Sequence, residues 1–267
     1  MGDLNPSNPC DRRPKSLISR RSIGAMPVLP FVAACALAAI HVLGGRFRGL
    51  DRIPRNRWLS FGSGVSVAYV FVHMLPELEA GQAAFATADL FVEFLDQHVY
   101  LIALAGFAVF YGLERLAHRS EERGTIGGAK TTTSESVFWV HIGLFGLYNS
   151  LIGYLLVHEP NSEPVGILLF AFAMALHFLV NDYGLRHHHH DAYQKIGRWV
   201  LAGGVLVGWA LGVTVTLTEI ALAVPIAFIG GGILLNVIKE ELPEERDSRF
   251  WAFALGAGGY ATLLLVV

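Results

Sequence analysis

His177, Asn181 and Asp182 fall within six residues of one apolar stretch. On a helix, His177 and Asn181 at i and i+4 share a face. Imidazole nitrogens and amide or carboxylate oxygens are the ligands a borderline dication such as Zn²⁺ accepts. His141 and Asn149 stand eight apart in the preceding apolar stretch and come close to one face as well. Packed side by side, the two stretches would form a descending row. Asn149 would be uppermost, then His177, then Asn181 with His141 and Asp182. The row would end at His187, His188, His189 and His190, four imidazoles in succession and a chelator in principle. His73 and Glu77 repeat the i, i+4 spacing in an earlier stretch, where they could gather cations or close a helix end with a hydrogen bond. Asn236 and Glu240 do the same near the end of a later one. Each group also has a plainer role: satisfying a neighbouring backbone, packing between helices, or forming a solvated low-complexity loop in the case of the histidine run. Three polar residues within six positions of an apolar span are costly to keep, which favours use for His177, Asn181 and Asp182. Glu114 reads as a boundary residue and Lys239 as a side chain that snorkels.

The elements that must position these groups are eight apolar segments: 27–45, 59–77, 98–117, 137–157, 165–185, 197–216, 222–240 and 249–267. A hydrocarbon core takes roughly 20 apolar residues of helix to cross. Only helices or closed barrels satisfy their backbone groups in lipid, and these runs lack the alternation of barrel strands. The sequence therefore predicts an all-α polytopic membrane protein. Charged residues are 16% of the chain, below the quarter or so of a soluble domain. A net charge of −2 argues against a nucleic-acid partner. Cys10 and Cys35, one in the polar tail and one in the first segment, give no disulfide framework.

Charge fixes the orientation. Of the 20 Lys and Arg, five lie in the N-terminal tail and all the others on one side of the series. They follow segments 1, 3, 5 and 7 (Arg46 to Arg57; Arg115 to Lys130; Arg186 to Arg198; Lys239 to Arg249). Basic short loops stay in the cytoplasm, so both termini are expected outside. Trp58, Trp139, Trp199 and Trp251 start the even-numbered segments, which places four amphipathic rings at the inner interface. The basic tail with Arg12, Arg13, Lys15, Arg20 and Arg21 pulls the other way. A basic tail before an apolar stretch can also be a signal segment, but this stretch is long for one and lacks a clear small-x-small exit.

Residues 1–26 read as a flexible tail and 27–267 as a single eight-helix domain. Residues 118–136, with Gly124, Gly127 and Gly128, read as a cytoplasmic linker. Residues 78–97 could lie as an amphipathic helix on the outer surface. Leu75-Pro76-Glu77 and Leu242-Pro243-Glu244 end segments 2 and 7 on opposite faces. An inverted repeat would do this, with helices 1–3 mirroring 6–8 and helices 4 and 5 between them.

The segment FGSGVSVAYVFVHMLPEL, Phe61 to Leu78, resembles the second helix of the ZIP family of divalent metal-ion transporters, with its His-Leu-Leu-Pro-Glu ending. GGGILLNVIKEELPE, Gly230 to Glu244, resembles that family's seventh helix. The resemblance covers helices 2 to 8. It implies a bundle with both termini outside and a metal site between helices 4 and 5. It also implies rocking of a unit containing helices 4 and 5 against a scaffold containing helices 2 and 7. The metal motifs depart from the family's pattern. Where its fourth helix carries His-Asn-x-x-Glu-Gly, this chain has Tyr148-Asn149-Ser150-Leu151-Ile152-Gly153. Where its fifth carries His-Glu-x-Pro-His-Glu or a Gln/Asp variant, this chain has His177-Phe178-Leu179-Val180-Asn181-Asp182. A dication in a medium of low dielectric needs compensating negative charge, and one carboxylate, Asp182, remains. One weak site is expected instead of a paired one.

The expected function is inward transport of a divalent, zinc-like ion across the plasma (inner) membrane, the ion being substrate and no organic cofactor being needed. A non-transporting metal sensor or binding protein is the alternative, favoured by the lost carboxylates. An intramembrane metal-dependent hydrolase is the third reading. Against it, His73, His141 and His177 lie at estimated depths of ~21, ~6 and ~12 Å, too scattered for one coordination sphere. The chain is therefore read as not an enzyme. Gly256, Gly258 and Gly259 allow close helix contact, within the fold or in a homodimer.

Overall fold

In a computed structural model of the chain the described residues are 28–44, 55–76, 79, 99–124, 135–158, 164–241 and 249–266. The tail, Glu77, nearly all of 78–97 and the middle of the 118–136 linker lie outside them. Among the described residues the regular elements are all helical, eight helices in chain order. They are α1 (Val28–Leu43), α2 (Arg55–Ala68), α3 (Val99–Gly124), α4 (Glu135–His158), α5 (Pro164–Ala192), α6 (Arg198–Thr214), α7 (Glu219–Glu241) and α8 (Phe250–Val266). A π-helical turn, Tyr69–Met74, continues α2, and a second, Tyr193–Gly197, joins α5 to α6.

Among the described residues four stretches are long and apolar enough to cross a membrane: Val99–Ser120, Glu135–His158, Pro164–His189 and Tyr193–Thr214. Val28–Leu43, Ala221–Asn236 and Phe250–Val266 are shorter apolar helices. Large apolar side chains such as Phe31, Leu104, Leu147, Leu168 and Val207 point outward. An apolar outer surface of this extent marks a membrane-facing bundle. Trp139, Trp199 and Trp251 are exposed too, with Arg57 over the Trp251 ring and Arg198 over that of Trp199.

The interior is organised by helix pairs that approach at backbone distance through glycine. α2 lies along α8, where Gly64 faces the Phe253 carbonyl and Gly256 faces that of Phe61. α3 lies along α7, with Gly106 against the Phe228 carbonyl and Gly231 against that of Ala103. α4 lies along α6, with Gly153 on the Val205 carbonyl and Gly208 on that of Ser150. At each of these positions a Cβ would collide with backbone, so only glycine allows the approach. Gly258 and Gly259 face open space. α1 packs on α5 and α6, and α5 also on α2. Exchanging helices 1–3 with 6–8 converts the α3–α7 pair into the α8–α2 pair and leaves α1–α6 and α2–α7 unchanged. The α4–α6 pair is far more extensive than its counterpart α5–α1, and α2–α5 than its counterpart α7–α4, so the contacts follow that exchange only in part.

Two expectations are corrected. α3 runs on to Gly124, into the stretch read as linker. The histidine run is helix, not loop: helical backbone continues from Pro164 through the π turn to Thr214. No Pro or Gly falls between Leu185 and Ile196 to stop it. The chain bends nonetheless. Tyr193 reaches back to Asp182, and eleven residues of straight helix would separate them by ~16 Å, more than the two side chains can bridge. The bend therefore falls in the last turns of α5, between Asp182 and Tyr193, just before the π turn begins.

Candidate functional site

α4 and α5 touch over a short stretch only, because α4 is occupied by α6 and α5 by α1 and α2. The polar groups expected to form one row are consequently shared among several networks, and α1 contributes to the innermost.

That innermost network is a chain of four buried side chains. His41, at the end of α1, donates from Nδ1 to Asp182 Oδ1 at 2.7 Å. Tyr193 Oη donates to the same oxygen at 2.5 Å. On its far side, His41 Nε2 accepts from Asn149 Nδ2 at 2.8 Å, and Asn149 Nδ2 also donates to the Leu201 carbonyl at 3.2 Å. A carboxylate on one ring nitrogen and an amide N–H on the other set His41 as the neutral Nδ1–H tautomer. Asn149 and Asp182 are fully buried and His41 and His177 nearly so. Asn149 and Asp182 therefore do belong to one arrangement, but through His41 and not by direct contact.

Several atoms in this region have unused hydrogen-bonding capacity. Asp182 Oδ2, Asn149 Oδ1, His177 Nε2, Asn181 Nδ2 and Tyr148 Oη are buried and have no hydrogen-bond partner. Buried polar atoms are nearly always satisfied, so five orphans in two short segments of α4 and α5 need a reason. Three of them, a carboxylate oxygen, an amide oxygen and an imidazole nitrogen, are Lewis bases suited to a dication. His177 packs edge-on to Tyr148, ring centroids 5.7 Å apart, and beside Phe178. His177 and Asp182 do not belong to a group of three His, Cys, Asp or Glu ligand atoms within 4.8 Å of one another.

The remaining predicted residues lie elsewhere. Asn181 Oδ1 accepts from Asn236 Nδ2 of α7 at 3.3 Å. His141 pairs with His189, Nδ1 to Nε2, at 2.9 Å. His188 Nε2 donates to Glu114 Oε1 at 2.9 Å. His187 is exposed, and the side chain of His190 lies outside the described residues. Successive helical residues point about 100° apart, so the four histidines cannot converge on one ion. His73 sits on the π turn of α2 beside Tyr69, ring centroids 5.2 Å apart, and its expected partner Glu77 is not described. The side chain of Glu240 is likewise outside the described residues. Lys239 does not snorkel freely: its ammonium lies 3.0 Å from Glu114 Oε1.

An apolar cavity of about 70 Å³ lies between α2, α4, α5 and α7. Ile152 and Met174 line it, the latter one turn from His177. A smaller one, lined by Asn181, Asn236, His188, Glu114 and Lys239, connects the Asn181–Asn236 pair to the Glu114 region.

Sequence reasoning passed over His41, Tyr193 and His118 and took Glu114 for a boundary residue. His41 carried the same signal as His141, an ionisable group in an apolar run, but at the end of a helix with no second polar residue. Glu114 and His118 carried i, i+4 spacing. Tyr193 carried no signal, because its role depends on the bend. No protein-family model matches the chain, and neither does any curated protein.

Proposed function

We propose that this chain is an eight-span membrane transporter of divalent, zinc-like ions, a divergent relative of the ZIP family. The ion passes into the cytoplasm through a site built on Asn149, His177 and Asp182, with Asn181 next in line. Both termini lie outside, and the membrane is the plasma (inner) membrane. The observation that carries the reading is the set of orphaned buried Lewis bases on α4 and α5: Asp182 Oδ2, His177 Nε2 and Asn149 Oδ1. A buried carboxylate oxygen, imidazole nitrogen and amide oxygen left without partners are costly unless something cationic uses them. The exposed tryptophans with adjacent arginines suit an inner interface.

In this reading Asp182 Oδ2 supplies the charge, and His177 Nε2 and Asn149 Oδ1 supply neutral ligands. His41 and Tyr193 orient Asp182 through Oδ1 and leave Oδ2 to the ion. If purified protein takes up no Zn²⁺, Mn²⁺ or Fe²⁺ and His177→Ala leaves cellular metal levels unchanged, the reading fails.

One observation favours a second reading, a protein that binds or senses metal without moving it. Ile152 stands where the resemblance implies a bridging carboxylate, and the cavity it lines is apolar. A mostly apolar lining offers a dication few ligands at that level, which opposes its passage. Stoichiometric metal binding without ion flux in proteoliposomes separates this reading from transport.

A further inference from the structure

At one end of α3 and α5, two histidines and a lysine meet a single carboxylate oxygen. Glu114 Oε1 lies 2.9 Å from His188 Nε2, 3.4 Å from His118 Nε2 and 3.0 Å from Lys239 Nζ. Glu114 and His118 are i and i+4 on α3, so both project from one face. His188 comes across from α5, and Lys239 from α7. Glu114 and His188 are largely buried, while half of His118 is open to solvent. The rings of His118 and His188 stand edge-on, centroids 4.8 Å apart.

We infer that Glu114, His118 and His188 form a metal site for a Zn²⁺-like dication, in which the Lys239 ammonium acts as a built-in competitor. The ligand atoms lie within 4.8 Å of one another, the sole such group among the described residues. Tetrahedral coordination at about 2.1 Å places ligand atoms ~3.4 Å apart, so the Glu114–His118 spacing of 3.4 Å already matches that polyhedron, the 2.9 Å Glu114–His188 hydrogen bond opens by about half an ångström to admit the ion, and exposed His118 can rotate to set the His–His edge. One carboxylate and two imidazoles leave a fourth position for water. A dication would take the place of the ammonium at Glu114 Oε1. Lys239 has a long flexible stem and is partly exposed, so it can swing away without unfolding anything. The site is separate from the one around Asp182: it uses different residues, and it binds whether or not the chain transports. The cavity lined by Asn181, Asn236, His188, Glu114 and Lys239 lies between the two.

The test is Co²⁺ binding to the full-length protein in detergent, with no affinity tag of histidines, read by the ligand-field absorption of tetrahedral cobalt and by Zn²⁺ displacement. Wild type is expected to show that absorption. His118→Ala and Glu114→Gln should each weaken it by about tenfold or more, since even groups that only orient a ligand contribute ~10–100-fold to affinity. Lys239→Met should tighten binding by about tenfold, because it removes a like charge from a part-buried site. Asp182→Asn should leave the signal unchanged, which distinguishes this site from the inner one. His118 is half exposed, so its variant folds, and thermal unfolding verifies it. Absence of the tetrahedral signal in wild type overturns the inference. So does His118→Ala binding as wild type does, which would assign the metal to the remaining histidines of the run. Equal affinity in Lys239→Met overturns the role given to Lys239.

Discussion

Replacing His41 by leucine removes the centre of the innermost network while nearly keeping its volume. Two partners are then left short. Asp182 Oδ1 keeps only Tyr193, and Asn149 Nδ2 keeps only the Leu201 carbonyl. Leaving a buried polar group unsatisfied costs ~1–3 kcal/mol, and hydrogen bonds to a charged group lie at the upper end. The side-chain hydrogen bonds of a membrane bundle are weaker, averaging ~0.6 and reaching ~1.7 kcal/mol, because the unfolded chain in lipid also finds partners. The Asn149 bond belongs to that weaker class. The Asp182 bond is charge-assisted, at 2.7 Å in a site without exposure, and belongs to the stronger one. Together they predict a loss of about 2–4 kcal/mol. Equilibrium unfolding in mixed micelles measures it. A double-mutant cycle with Asp182→Asn isolates the pair, and the two losses should fall short of additive by at least ~1 kcal/mol. Strict additivity, or a His41→Leu loss below about 0.5 kcal/mol, refutes the network, since surface substitutions alone stay within that range.

Three further outcomes follow from the same geometry. Gly231→Ala and Gly208→Ala place a methyl on a facing carbonyl and should each destabilise by roughly 1–3 kcal/mol, whereas Gly112→Ala and Gly143→Ala, which face open space, should be neutral or slightly stabilising in the same unfolding assay. Cys35 is exposed among apolar neighbours on α1; in intact membranes it should react with a lipid-soluble maleimide and resist a charged one, and equal labelling by both would contradict a lipid-facing α1. Tyr193→Phe removes one donor to Asp182 and loosens the bend at the end of α5; it should cost ~1–3 kcal/mol, and a variant as stable as wild type would show that the bend does not depend on that bond.

The helices were legible because apolar runs of membrane length have few alternatives, and the turn residues between them are polar, glycine-rich or proline-marked. Which helices pair was not, although the means lay in plain view. Gly153, Gly208 and Gly231 sit in the sequence without a sign of which backbone each one meets. The row expected from helices 4 and 5 failed to form because α1 enters the same space, and a helix with a single histidine gave no reason to expect it there. The histidine run illustrates the opposite error. Four identical residues in succession invite a loop reading, yet nothing in 185–196 breaks a helix, and helical geometry then sends His188 to Glu114 and His189 to His141. Asn149 and Asp182 were found because each is polar in an apolar span, which is a local signal. Tyr193 and Lys239 were not, because their roles depend on partners 11 and 125 positions away.

Flux of radioactive zinc into proteoliposomes, compared for wild type, His177→Ala and Asp182→Asn, bears most directly on the use of the orphaned buried ligands. Wild type should load the vesicles above protein-free controls, and each variant should fall to the control level while keeping its folded helical signal. Uptake in both variants at the wild-type rate would contradict a path through Asp182 and His177.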